Sequence, residues 1–211
     1  MEWESFLKIT RALPIIDTEN LIVGSSDPAS LQVQISRWNK AGKIIQLKKG
    51  IYLLAEPYRK IGVYEPYIAT ILKRPSYISL EKALEYHNLI PEAVSVYTSV
   101  TTKRGARFES EAGIFDYKHI KESLFWGYAS HTVNQQTSFI ALPEKALLDF
   151  FYLKKIKISL EYVREMRLQN LESINIKKLE TYARRFAKPA MMTVAAAVKE
   201  YAASAQTEKE I

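Results

Sequence analysis

Apolar positions along the first quarter of the chain change period twice. Trp3, Phe6, Leu7, Ile9 and Leu13 recur at mostly helical spacing, which predicts a first helix over Met1 to Ala12, ended by Pro14. Asp17 or Thr18 is placed to cap a short second helix through Leu21, Ile22 and Val23, and Gly24-Ser25-Ser26 reads as the turn that follows. Leu31, Ile35 and Trp38 then fall at i, i+4 and i+7, so a third helix must turn one apolar stripe toward a core. Asp27 as N-cap, Pro28 in the first turn and Gly42 as the stop bound it at Pro28 to Ala41. Beyond Gly42, Lys43 to Leu47 and Ile51 to Leu54 are β-prone runs. They are joined through Lys48-Lys49-Gly50, with glycine where a positive φ is expected. Three helices followed by such a ribbon predict a winged helix-turn-helix over residues 1–57.

The hairpin pattern stops at Glu56-Pro57, and the polar run to Gly62 reads as a linker, which sets a domain boundary near Tyr58. Residues 58–211 predict a mixed α+β domain. Pro66 to Lys73 is a helix ended before Pro75, and Ser79 is an N-cap for Leu80 to His87, with Glu81 favourably placed in its first turn. Val94 to Val100 and Gly113 to His119 read as strands separated by a polar, turn-rich connection from Thr101 to Ala112. Phe125 to Tyr128 and Ser138 to Leu142 add two more. After Pro143 the period becomes helical. Ala146, Leu147, Phe150 and Phe151 share one side of a helix, three further helical segments reach about Ala203, and the polar stretch from Gln206 to Ile211 is expected to fray. The fold class is therefore α+β.

Composition narrows the setting. In 211 residues, 47% hydrophobic content is enough to bury real cores, and the absence of cysteine removes disulfides and thiolate metal sites. No apolar run approaches the roughly 18 residues of a membrane span, and the first twelve residues carry Glu2 and Glu4 rather than a basic leader, so a cytoplasmic protein with no membrane partner is expected. The net charge of +7 favours an acidic partner such as nucleic acid.

That charge is concentrated where it can act. From Pro28 to Leu54 the chain holds Arg37, Lys40, Lys43, Lys48 and Lys49 and no carboxylate. A helix fits the major groove, where Ser30, Gln32, Ser36 and Arg37 could read base edges and Val33 could touch a thymine methyl. Lys40, Lys48 and Lys49 would hold phosphates and fix register. A solvated amphipathic helix beside an ordinary hairpin explains the same pattern without DNA. One winged helix covers few base pairs, so double-stranded operator DNA with repeated half-sites is the partner expected.

Other chemistry is thinner. Asp116 and Lys118 share one side of a strand with Glu109 or Glu111 upstream, a set compatible with a metal-dependent nuclease and equally with a plain amphipathic strand whose Tyr117 faces the core. His87, His119 and His131 lack ligand spacing, and no phosphate-cradling glycine loop or nucleophile elbow occurs, so no cofactor, metal or catalytic residue is assigned. Lys145 and Asp149, at i and i+4, read as a surface ion pair. Pro143-Glu144 reads as helix-start chemistry. Lys154, Lys155 and Lys157, with Lys177, Lys178, Arg184, Arg185 and Lys188, either extend a DNA-contacting face or form a solvated one.

An ordered set of motifs adds a family. SRWNKAGKIIQLKKGIYLL, PSYISLEKALEYHNLIPE, VYTSVTTKRGARFE, GIFDYKHI, FWGY and ALPEKALLDFFY together resemble the AbiEi family, antitoxins of type IV toxin–antitoxin and phage-resistance systems, over about Leu31 to Tyr152. The resemblance implies a transcriptional regulator whose winged helix binds operator repeats and represses its own operon. It also implies a C-terminal antitoxin domain that opposes a nucleotidyltransferase-like toxin without a stable complex. It maps an antitoxin-domain motif onto Tyr77, Ser79, Glu81, Glu144, Lys145 and Asp149. A DNA-binding adaptor that docks another protein is the remaining alternative.

Overall fold

A computed structural model describes residues 1–25, 27–156 and 158–209, the side chains of 206–209 excepted. Ser26 of the expected turn, Lys157 of the basic cluster, the side chains from Gln206 onward and the chain end at 210–211 lie outside the described residues. The fold is mixed α+β.

The first segment runs α1 (Trp3–Thr10), β1 (Ile16–Asp17), α2 (Thr18–Val23), α3 (Pro28–Lys40), β2 (Ile44–Lys48) and β3 (Ile51–Leu54). Its caps are those the sequence offered. Asp17 accepts from the Glu19 amide at 3.0 Å and Asp27 from the Ser30 amide at 3.1 Å, satisfying helix donors that would otherwise be orphaned. Gly42 (φ +67°) and Gly50 (φ +84°) occupy the left-handed region, at the end of α3 and in the hairpin turn. Two details differ from expectation. Lys48 pairs with Ile51, so the turn holds only Lys49-Gly50, and a bulge at Leu47 absorbs the extra residue. β1 pairs with β3 to give a three-stranded sheet ordered β1-β3-β2. Two residues are too few to show a strand period.

That sheet is buried on both faces. Ile44 and Leu54 pack with Phe6, Ile16, Leu31, Ile35 and Trp38 in one core, while Leu47, Ile51 and Leu53 belong to the larger core formed by the rest of the chain. Alternation along β3 sends neighbouring side chains into different cores. The chain then passes through a 3-10 turn at Glu56–Tyr58. Residues 59–64 are pinned rather than loose: the Lys60 amide reaches the Arg11 carbonyl, and the buried Gln136 side chain binds both the Tyr64 amide and the Gly62 carbonyl at 2.9 Å.

The remainder comprises α4 (Glu65–Leu72), β4 (Tyr77–Ile78), α5 (Leu80–Tyr86), β5 (Val96–Thr101), β6 (Ala106–Ser110), β7 (Gly113–His119), β8 (Tyr128–Val133), β9 (Gln136–Ala141), α6 (Pro143–Lys154), α7 (Leu160–Glu165), α8 (Ile176–Arg185) and α9 (Pro189–Lys209). The six strands form a mixed sheet ordered β6-β7-β5-β4-β9-β8. The expected connection from Thr101 to Ala112 contains β6, an edge strand too polar to announce itself, which lies against β2. The strand expected at Phe125 begins only at Tyr128, because Gly127 (φ +77°) breaks the extended run. α6 is central: Glu144 through Phe151 are all buried, with α8 and α9 against it. Among the described residues no helix is long and apolar enough to cross a membrane.

Candidate functional site

Burial of Leu31, Ile35 and Trp38 fixes the rotation of α3, so Gln32, Val33, Ser36, Arg37 and Lys40 face solvent, with Val33 half exposed. Ser30 is half buried at the capped end. Arg37 and Lys40 make no ion pair among the described residues and lie in the last turn, where cations also complement the helix dipole. The hairpin turn sits beside α2. The Gly50 carbonyl accepts from the Thr18 amide at 2.9 Å and the Thr18 hydroxyl at 3.0 Å, which fixes the turn across a groove from Gln32, Ser36 and Asn39. Glu19 lines that groove too, an acidic neighbour the local sequence window did not contain.

The basic residues of the hairpin divide. Lys49 is exposed, whereas Lys48 turns inward and its Nζ donates to the Leu72 carbonyl at 2.7 Å, with burial lowering its pKa. Lys48 thus ties the hairpin to α4 and is not free at the tip. Lys43 is spent similarly, its ammonium 4.7 Å from the Trp3 ring centre.

Four of the six C-terminal motif residues converge, and not at the surface. Lys145 and Asp149 are completely buried, correcting the expected surface pair. Lys145 Nζ donates to Asp149 Oδ1 and to the Tyr77 hydroxyl at 2.9 Å. That hydroxyl in turn donates to Asp149 Oδ2 at 2.9 Å, and Ser79 Oγ donates to the same oxygen at 2.8 Å. Ser79 precedes α5, but its hydroxyl makes no cap bond because Asp149 takes it. The ammonium also lies 5.0 Å from the ring centres of Trp126 and Phe186, in a box that an isolated motif could not reveal. Burial pulls the Lys145 pKa down and pushes that of Asp149 up, each opposed by the other's charge. The Tyr77 hydroxyl is driven far up by burial and then by Asp149. This is a satisfied structural knot joining β4 to α6.

Glu144 and Glu81 lie outside it. Glu144 accepts from the Asn175 amide at 3.0 Å and pairs with Lys178 at 3.2 Å, bracing the start of α8. Glu81 pairs with Lys154 at 2.5 Å. The other candidate groups have equally local partners. Asp116 pairs with Lys118 at 2.9 Å and Glu109 with Arg107 at 2.6 Å, while Tyr117 is buried as expected and donates to the Ala69 carbonyl at 2.5 Å. Of the later basic residues, Lys188 lies over Tyr152 and Arg185 over Trp126, and Arg184 reaches Glu180 at 4.0 Å. Among the described residues no group of three His, Asp or Glu side chains is placed to hold a metal. No family model matches the chain, and no curated protein matches it.

Proposed function

We propose that this chain is an AbiEi-like antitoxin of a type IV toxin–antitoxin system that binds operator DNA through an N-terminal winged helix and represses its own operon. The observation that carries the DNA-binding half is the pairing of element order with sheet order: helix, strand, two helices, then a hairpin, closed as β1-β3-β2, with a carboxylate-free face of α3 turned to solvent. Gln32, Val33, Ser36 and Arg37 read bases in the major groove. Lys40 and Lys49 hold phosphates, and Ser30 supports the helix entry. The antitoxin half rests on the motif resemblance. In this reading the buried knot around Lys145 supports that region and does not itself meet a toxin.

The test keeps the chain whole, because Leu47, Ile51 and Leu53 of the hairpin pack into the larger core. The adjacent gene is expressed alone, with the full chain, and with an Arg37→Ala/Lys49→Ala variant, scoring growth and a reporter driven by the operon's promoter. Growth should be rescued by both proteins and the promoter silenced only by the parent. A harmless neighbour, or a toxic one that the full chain does not rescue, removes the antitoxin reading. A promoter equally silent with the variant removes the placement of the DNA contacts.

A further inference from the structure

Between the end of α4 and strands β8 and β9 lies a cleft of about 760 Å3, inside the roughly 300–1,000 Å3 span of small-molecule sites. Its walls are the half-buried rings of Tyr67, Phe125, Tyr128 and Phe139. Tyr128 stacks on Tyr77 with ring centres 4.7 Å apart, and Phe125 and Phe139 lean on it at 5.3 and 5.9 Å. Because Tyr77 is held by Asp149 and Lys145, the aromatic floor is fixed before any ligand arrives. Two cations complete the lining, Arg74 and Lys103, both exposed, and no lining residue is acidic. Several basic side chains of the C-terminal part are neutralised by a carboxylate: Lys82 has Glu85, Lys118 has Asp116, Lys154 has Glu81, Arg167 has Glu92. Arg74 and Lys103 make no ion pair among the described residues.

We infer that this cleft binds a mononucleotide, its base against the aromatic walls and its phosphate on Arg74 and Lys103. Flat rings favour a flat ligand, since stacking on aromatic side chains is available to every base, and the guanidinium and ammonium favour an anion at one end. A purely apolar ligand would gain nothing from the cations. A sugar phosphate would gain less from the four rings than a planar base does. The neighbouring groove that shares Tyr67, Arg74 and Lys103 adds Lys48 and Lys49 against Asp17 and Glu19 but holds no ring besides Tyr67, so the aromatic cleft is the better seat for a base.

The test is calorimetric titration of the full chain with AMP, GMP, CMP and UMP, and with the matching nucleosides and inorganic phosphate. At least one mononucleotide should bind one to one. Its nucleoside and inorganic phosphate should each bind at least about tenfold more weakly. Arg74→Ala combined with Lys103→Ala should weaken the nucleotide by about tenfold or more with an unchanged melting temperature, since neither side chain is paired or buried. Tyr67→Ala should weaken the nucleotide and its nucleoside alike. No uptake of any mononucleotide at millimolar concentration overturns the proposal, as does affinity that survives the double variant. The titration contains no DNA operator and no toxin, so its result is independent of the regulatory reading.

Discussion

Lys145 and Asp149 stand one turn apart on α6, bonded to each other in a fully buried setting and closed over by Tyr77, Ser79, Trp126 and Phe186. On an exposed helix the same spacing would contribute about 0.2–0.5 kcal/mol. In the core, removing one partner strands the other's charge, a loss of about 3–5 kcal/mol. Lys145→Met and Asp149→Asn should each lower stability by that larger amount in urea denaturation. A cost below about 1 kcal/mol for both would return the pair to the surface class.

Gly127 is the steric counterpart of that knot. Its φ is +77°, and a Cβ there would come 3.0 Å from Lys145 Cγ and 3.2 Å from its Cβ and Cδ. Gly127→Ala therefore combines left-handed backbone strain of roughly 1–2 kcal/mol with pressure on a side chain that has no room to retreat. Gly62→Ala, where a Cβ meets nothing within 4 Å, is the control and should leave the melting temperature almost unchanged.

Arg37, Lys49 and Lys48 should separate in a DNA titration. Arg37→Ala should relax sequence preference at one position and cost about 1–3 kcal/mol, and Lys49→Ala should weaken all sequences alike and lower the salt slope by about one. Lys48 serves the Leu72 carbonyl, so Lys48→Met should instead destabilise the fold by about 1–2 kcal/mol with little change in salt slope. Equal salt slopes for the Lys48 and Lys49 variants would refute this division.

His87 gives the fold a pH dependence whose sign follows from its burial. Its Nε2 lies 2.7 Å from the Ala141 carbonyl, and burial, reinforced by His131, outweighs that bond and lowers its pKa from 6.5. A depressed folded value means that the unfolded chain takes up the proton first as pH falls. The stabilisation is present above 6.5 and is lost as pH drops through the folded value. Urea midpoints measured at about pH 7.5 and about pH 5.5 should diverge more for the parent than for His87→Gln. Identical pH dependence in the two proteins would assign the loss to other groups.

Local chemistry was sufficient for much of this molecule. Caps at Asp17 and Asp27, stops at Gly42 and Pro75, and the apolar stripe of Leu31, Ile35 and Trp38 act within a few residues, so helix bounds and the exposed face of α3 follow from the chain alone. What local windows could not supply was burial of polar groups and pairing over distance. Lys145 and Asp149 look amphipathic on a helical wheel. Only the arrival of Tyr77, Ser79, Trp126 and Phe186 from three other places in the chain makes their burial tolerable. The same holds for β1 and β6, whose strand character is conferred by the neighbours they pair with, and for Lys48, identical in sequence terms to Lys49 until the Leu72 carbonyl claims it. The sequence by itself determined the helices, the hairpin and the basic, carboxylate-free face, because those depend on near neighbours. Tertiary structure decided which charges are spent inside the fold and which remain free to bind, because desolvation and partner geometry are set by residues tens of positions away.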